Sequence, residues 1–530
     1  MIRQIDARTL KTSLHDGGEL ALLDPREEVP FDARHLLMAA CIPLSRLEML
    51  VDEMVPRRSV RVVCCDDGEG LAERTASRMA ALGYTDVSVL HGGIAAWEAA
   101  GYRLYSGVHV PSKAFAEVVE HEAGTPWITA ERLKALLDSR ADIALFDSRS
   151  YDEYHDNSIP GAISVPGAEL VYRFADLVPS ADTTVIVNCG GRTRSIIGAQ
   201  SLINAGVPNK VVSLKDGTQA WHLAGFRVLK DATAQPPAVS DAGRAAARAA
   251  AARVAQRFRI RTINLATLER WRAEATTRSL YVFDVRTPAE YAAGHLPGTK
   301  HVAGGQLVQE TDRHAATWGA RVVLADDDGV RATMTAHWLQ QMGWDVAVLT
   351  LDMRAAGTAT GAYAPRVLGL DDVAVPSIDV AALQARLLAG TAVVVDLDWS
   401  RGFIAGHIPG AWYAIRARLA AAFVALPAVE AIVFTSADGV LARLAAAEWN
   451  GHTPAPVLAL SGGTAAWVAA GHALEPGATH MVSAADDMRL RARDQAGSVE
   501  DAMRAYLAWE IDLVNQMATD DDQRFKVMAG

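Results

Sequence analysis

An internal repeat constrains this chain more than any other feature. Across its 530 residues one order of landmarks recurs: a strand ending in Asp, a second strand ending in a loop, and a Gly-rich turn leading to Trp. The first unit reads Ala21-Leu22-Leu23-Asp24-Pro25-Arg26, then Val60-Arg61-Val62-Val63-Cys64-Cys65-Asp66, and closes on Gly92-Gly93-Ile94-Ala95-Ala96-Trp97. The second has Phe146-Asp147-Ser148-Arg149, Val185-Ile186-Val187-Asn188-Cys189 and Asp216-Gly217-Thr218-Gln219-Ala220-Trp221. The third has Phe283-Asp284-Val285-Arg286 and Val322-Val323-Leu324-Ala325-Asp326, with a degraded close at Thr350-Leu351-Asp352-Met353. The fourth has Val395-Asp396-Leu397-Asp398, Phe434-Thr435-Ser436 and Gly462-Gly463-Thr464-Ala465-Ala466-Trp467. Strands alternating with helical patterns at short spacing predict α/β units, each a mostly parallel sheet with helices on both faces.

Half the residues are hydrophobic, enough for several buried cores. The net charge of −11 and the lack of a long basic run argue against nucleic acid as a partner. No apolar stretch is long enough to span a bilayer, and the first eight residues lack the apolar core of a signal peptide. Four cysteines in a chain this long do not make a disulfide framework. A reducing cytoplasm is the expected compartment. Cys64 and Cys65 read as strand residues, since the spacing of a redox pair is absent.

The chemistry concentrates at Cys189. Three β-branched residues run into Asn188 as a buried strand, Gly190 and Gly191 let the chain curl, and Ser195 opens a helix. A helix start and a curled loop both favour an anion. Arg192 and Arg194 add positive charge. The expectation is a thiol with a lowered pKa, held beside a cradle for an anionic substrate.

These residues carry a family resemblance. Strand, Cys189-Gly190-Gly191-Arg192-Thr193-Arg194, then helix resembles the active-site loop of rhodanese-family sulfurtransferases. Further marks follow in order: Asp147-Ser148-Arg149, the short helix at Tyr151-Asp152-Glu153-Tyr154, and Ser158-Ile159-Pro160-Gly161-Ala162 with Ser where the family usually has His. The closing turn shows Asp216 in place of a glycine. The resemblance implies four tandem rhodanese-like domains, each a mostly parallel five-stranded sheet. It implies a persulfide on Cys189, formed from a small anionic, thiosulfate-like donor and passed to a thiol or cyanide-like acceptor, a protein thiol included. No cofactor and no metal is called for. Gly190, Gly191, Arg192, Thr193, Arg194 and Ser195 would bind substrate, with Asp147, Arg149 and Glu153 in support. Asp147 and Arg149 read first as a structural pair.

The expected division is 1–105, a connecting helix at 106–127, 128–230, an Ala/Arg-rich linker helix at 231–260, 261–365, 366–475, and a helical tail at 476–530. The slot of Cys189 holds Asp66, Asp326 and Ser436 in the other units, which should be inactive. The connecting helix reads as a surface tether; the sharper alternative has it covering the second unit and offering Lys113 or His121. The linker helix reads as solvated. The tail helix, with Met503, Leu507, Ile511 and Val514 at helical spacing, suits packing on the body or at a homodimer contact.

Two other functions compete. A cysteine-dependent phosphatase needs an arginine where Ser195 stands. A non-enzymatic scaffold suits the other three units but leaves Cys189 and its arginines without a purpose.

Overall fold

The computed structural model of the chain describes residues 2–351, 359–453, 455–495 and 497–528. Four sheets follow one another along it. The second joins Trp127–Ile128, Val211–Leu214, Thr184–Asn188, Ile143–Asp147 and Ile163–Ser164, all parallel. By order within the unit this is 1-5-4-2-3, and the third and fourth sheets repeat it. Such strands are covered on both faces, so they read as continuous apolar runs. Val185, Ile186 and Val187 are fully buried, worth about 1.5–3 kcal/mol apiece.

The first sheet departs from five strands. Thr317–Trp318, from the chain of the third unit, adds antiparallel to its Leu20–Asp24 edge and makes a sixth strand. Trp318 then stacks on Trp344 at 4.4 Å, so one short strand belongs to two units. Asp352 and Met353 of the degraded turn lie outside the described residues.

The Asp-x-Arg motif is a buried ion pair three times over. Arg26, Arg149 and Arg286 each fork onto the carboxylate two residues earlier, at 2.6–2.7 Å. The fourth unit has Asp398 at that point and no arginine. Burial then pushes the Asp396 carboxyl up to about 7, with Asp398 adding to the rise. The histidine replaced by Ser158 is structural elsewhere. His35, His295 and His407 stack on Phe31, Tyr291 and Phe403.

Two helices that read as surface elements are packed instead. The connecting helix Val110–Ala123 buries Val110, Ala114, Phe115 and Val119 between helix Thr193–Asn204 and the tail. Phe115 meets Trp338 and Phe525 edge-on. The linker helix Asp241–Phe258 buries Ala247, Ala250, Ala251 and Val254 against helices Glu169–Leu177 and Val330–Gln341. Its small side chains permit close approach, and its arginines lie along the rim. Among the described residues, no helix is long and apolar enough to cross a membrane.

Candidate active site

Strand Thr184–Asn188 delivers Cys189 to the sheet's carboxyl end, and helix Thr193–Asn204 starts just beyond it. Cys189 is 2% exposed. Its Sγ lies 3.5 Å from the Ser195 hydroxyl, which donates to the Arg192 carbonyl at 2.8 Å. The Cys189 carbonyl accepts from the Thr218 N–H at 2.8 Å and from its hydroxyl at 3.0 Å. Gly217 makes that approach practicable. Its φ is +55°, and a Cβ there would stand 2.3 Å from the Cys189 carbonyl oxygen.

The thiol is not held low, as its neighbours in sequence suggested. Burial pushes the Cys189 pKa above the ordinary cysteine value, while Arg194 and the Ser195 contacts pull it down and Glu510 adds to the rise. The sulfur occupies a nearly closed space, and desolvation outweighs the nearby charge.

The two loop arginines do different things. Arg194 points into the site. Its guanidinium forks onto Glu153 at 2.6 and 2.8 Å and donates to Gln306 of the third unit at 2.9 Å. Glu153 is placed by a capping box with Ser150, and Arg194 holds its carboxyl well below the usual range against the penalty of burial. Arg192 was expected to face a donor anion. Instead it is 4% exposed and enclosed by three carboxylates. It pairs with Glu117 at 2.7 Å, with Asp216 at 2.8 Å and with Glu120. The glycine replaced by Asp216 is thereby explained: Asp216 keeps the left-handed φ of +59° and supplies a partner for Arg192. Arg192 ties the loop to the connecting helix, which is no surface tether.

Gly190 and Gly191 do not use positive φ. At Gly191 the constraint is space, because a Cβ would lie 3.2 Å from both Glu510 Oε2 and Tyr506 Cε1. Both belong to the tail helix Val499–Met517, which lies across the loop. Glu510 is 1% exposed. Its Oε1 accepts the Thr193 hydroxyl at 2.7 Å, so Thr193 also faces the tail, and Oε2 has no protein partner. The buried stripe of this helix is Met503, Leu507, Glu510, Leu513 and Met517, while Ile511 is exposed. A glutamate on an apolar stripe is the one sequence signal that marked it. Lys113 is buried over the Tyr506 and Trp509 rings, and burial pushes its ammonium down to about 8. His121 is exposed beside Glu122.

The loops of the other units are filled by their own first residues. Asp66 accepts the N–H groups of Gly68 and Ala72 at 3.1 and 2.9 Å. Asp326 accepts those of Gly329 and Ala332 at 2.6 and 3.0 Å. Ser436 accepts that of Ala442 at 3.3 Å. In the aspartate units a side-chain carboxylate takes the N–H groups that would otherwise face an anion. Arg331, which the sequence reading passed over, is the third unit's counterpart of Arg194. It is fully buried among Glu169, Glu290 and Asp327.

Comparison with known proteins agrees with this geometry. The family profile described as "Rhodanese-like domain" matches residues 6–100, 129–224 and 265–355. The chain belongs to the rhodanese family of sulfurtransferases, as an enzyme of repeated rhodanese-like domains. The crystal structure of thiosulfate sulfurtransferase from Pseudomonas aeruginosa is similar over 99% of this chain and 100% of its own, at 46% identity and a TM-score of 0.97. Two curated relatives match shorter stretches. The putative sulfur carrier protein YrkF of Bacillus subtilis is 28% identical over 102 residues, 19% of this chain and 54% of that protein. The HTH-type transcriptional regulator Rv0324 of Mycobacterium tuberculosis is 34% identical over 87 residues, 16% of this chain and 38% of that protein. The chain thus spans about half or less of these two relatives' lengths.

Proposed function

We propose that Cys189 carries sulfane sulfur between a small anionic donor, thiosulfate or a close analogue, and a thiophilic acceptor. The Cys189 thiolate attacks the donor's outer sulfur. The donor S–S bond breaks, its electron pair leaves with the sulfite anion, and Cys189 becomes a persulfide. An acceptor then attacks the terminal sulfur and returns Cys189 to the thiolate.

The observation that carries this reading is the setting of one sulfur at a helix start, beside Arg194 and within reach of Ser195. Arg194 would attract the donor and stabilise the persulfide anion. Arg192, Gly190, Gly191 and Thr193 would act by holding the loop's shape, and Asp147 with Arg149 by holding the strand end below it. Glu153 would orient Arg194. Catalysis would belong to residues 128–230, with 1–105, 261–365 and 366–475 as scaffold. Four unpaired cysteines suit a reducing cytoplasm. The tail helix spends its apolar face on its own chain, which removes the reason to expect a homodimer contact there.

A panel of donors, with thiocyanate or sulfide release as the readout, tests the reading. Turnover with thiosulfate that disappears in Cys189→Ser and persists in Cys65→Ser supports it. Turnover that survives Cys189→Ser overturns it.

A further inference from the structure

The Cys189 sulfur is covered on its outer side by a part of the chain that belongs to none of the four units. Clefts of about 970 and 630 Å³ open beside the loop, with Arg194 in the wall of the first and Arg192 in the wall of the second, and Cys189 lines neither. Over the loop itself lies the tail helix Val499–Met517. Two of its side chains meet the backbone at Gly191, where a Cβ would stand 3.2 Å from Tyr506 Cε1 and from Glu510 Oε2. Glu510 is fixed through its other oxygen, which accepts the Thr193 hydroxyl at 2.7 Å. Oε2 is buried and takes no protein donor, so its lone pairs and its charge act on whatever occupies the space over Gly191. That charge is felt at the sulfur, since Glu510 adds to the rise in the Cys189 pKa. The buried Lys113 ammonium lies over the Tyr506 and Trp509 rings, at 5.3 and 4.9 Å, and helps to fix the Tyr506 ring in place.

We infer that Tyr506 and Glu510 determine which sulfur donors Cys189 accepts, Tyr506 by size and Glu510 by charge. The inference deepens the reading that Cys189 takes sulfur from a small anionic donor, and rests on it. In the attack the donor's outer sulfur touches Sγ, so the group left behind lies outward of it, against the tail helix. A tyrosine ring this close to the loop leaves room for a small group and none for an aryl one. A fixed carboxylate repels every negative charge that group carries, and a site shut off from water screens the repulsion weakly. The donors favoured are therefore small sulfane-sulfur compounds with one negative charge, such as alkyl thiosulfonates. Thiosulfate, a dianion, is penalised relative to them. The step is the same for both. The Cys189 thiolate attacks the outer sulfur, the S–S bond breaks, and the electron pair leaves with sulfinate from a thiosulfonate or with sulfite from thiosulfate. No external oxidant or reductant enters. Arg194 attracts all of these anions, and the tail helix sorts them.

The test gives three donors to the intact chain at one pH. Methanethiosulfonate matches thiosulfate in size and carries one charge less, and benzenethiosulfonate adds a ring at the same charge. Ratios of kcat/KM between donors cancel any change in the Cys189 pKa, which bears on every donor alike. Glu510→Gln keeps an acceptor for Thr193 and removes the charge. It should raise the thiosulfate-to-methanethiosulfonate ratio by about threefold or more. Tyr506→Ala should raise the benzenethiosulfonate-to-methanethiosulfonate ratio by about fivefold or more. Tyr506→Leu, which keeps an apolar contact on the helix, should move that ratio in the same direction. A substitution that merely loosens the chain lowers all three donors together and moves neither ratio. An unmoved ratio in Glu510→Gln, or in both Tyr506 variants, overturns the inference. Labile sulfur on Cys189, counted in the same preparations, separates the two claims. A wild type that loads sulfur from none of the donors refutes the Cys189 reading itself, whereas a loaded enzyme whose ratios ignore the tail helix refutes only the inference.

Discussion

Arg194 and Arg331 stand at equivalent points of facing units, and each reaches across to a side chain of the other. Arg194 donates to Gln306 of the third unit, and Arg331 donates to Glu169 of the second. Gln306 and Glu169 are themselves equivalent. Each lies two residues beyond a glycine, Gly304 or Gly167, whose N–H bonds the carbonyl just after the strand-end aspartate. The local pseudo-twofold passes close to Gly305, where a Cβ would lie 3.0 Å from the Gly167 nitrogen. The symmetry breaks in charge. Arg331 faces Glu169, Glu290 and Asp327, whereas Arg194 faces Glu153 and a neutral amide. The unit that keeps the cysteine also keeps an arginine with one carboxylate partner in place of three.

Gln306→Glu should therefore impair the second unit without touching its loop. It gives Arg194 the second carboxylate that Arg331 already has. A like charge near the donor costs about 1–2 kcal/mol in a partly solvated site, which is roughly one decade in kcat/KM for thiosulfate. Glu169→Gln, the mirror change, should leave turnover within about twofold of wild type. Steady-state kinetics with thiosulfate checks both, and equal effects would remove the assigned asymmetry.

The thiol's titration should move in opposite directions with two of its neighbours. Arg194 lowers the Cys189 pKa and Glu510 raises it, and burial of the sulfur outweighs the pull of Arg194. Arg194→Gln should shift the pH profile of iodoacetamide alkylation upward, and Glu510→Gln downward. Shifts of the same sign in both variants would contradict the electrostatic account.

How far the sequence reached follows from which contacts are local. The strand ends, the cysteine loop and the Asp-x-Arg pairs were legible, because each is built within about ten residues and has a physical signature. Asp216 was legible as a departure from glycine, although its partner Arg192 was not. What escaped notice was set by contacts across hundreds of residues. Thr193 and Glu510 are 317 positions apart, and Arg192 meets Glu117 at a separation of 75. The linker helix read as solvated because its face is alanine-rich, with little apolar contrast, yet small side chains are what close helix packing uses. Arg331 was hidden by the run Asp326-Asp327-Asp328, which reads as an acidic loop until the fold folds the arginine back over it.

Asp396 should make stability depend on pH in a defined window. Its carboxyl is raised to about 7 by burial, and no arginine pairs with it. A group raised in the folded state binds its proton more tightly there than in the unfolded chain. Its contribution is therefore full below about pH 4 and is lost as pH climbs to about 7. Asp396→Asn keeps an acceptor for the Asp398 N–H and removes the charge. The variant should gain on the order of 2 kcal/mol over wild type at pH 8 relative to pH 5. Urea denaturation at the two pH values reads this, and a gain that is equal at both would show that Asp396 does not titrate in the window.

On the proposed reading, one sulfur site serves a chain of four similar units. The most direct measurement is the number of labile sulfurs per chain after thiosulfate treatment and desalting. One is expected for wild type and none for Cys189→Ser, because Asp66, Asp326 and Ser436 fill their own loops and hold no thiol. Sulfur retained by Cys189→Ser, or a wild-type count above one, would contradict it.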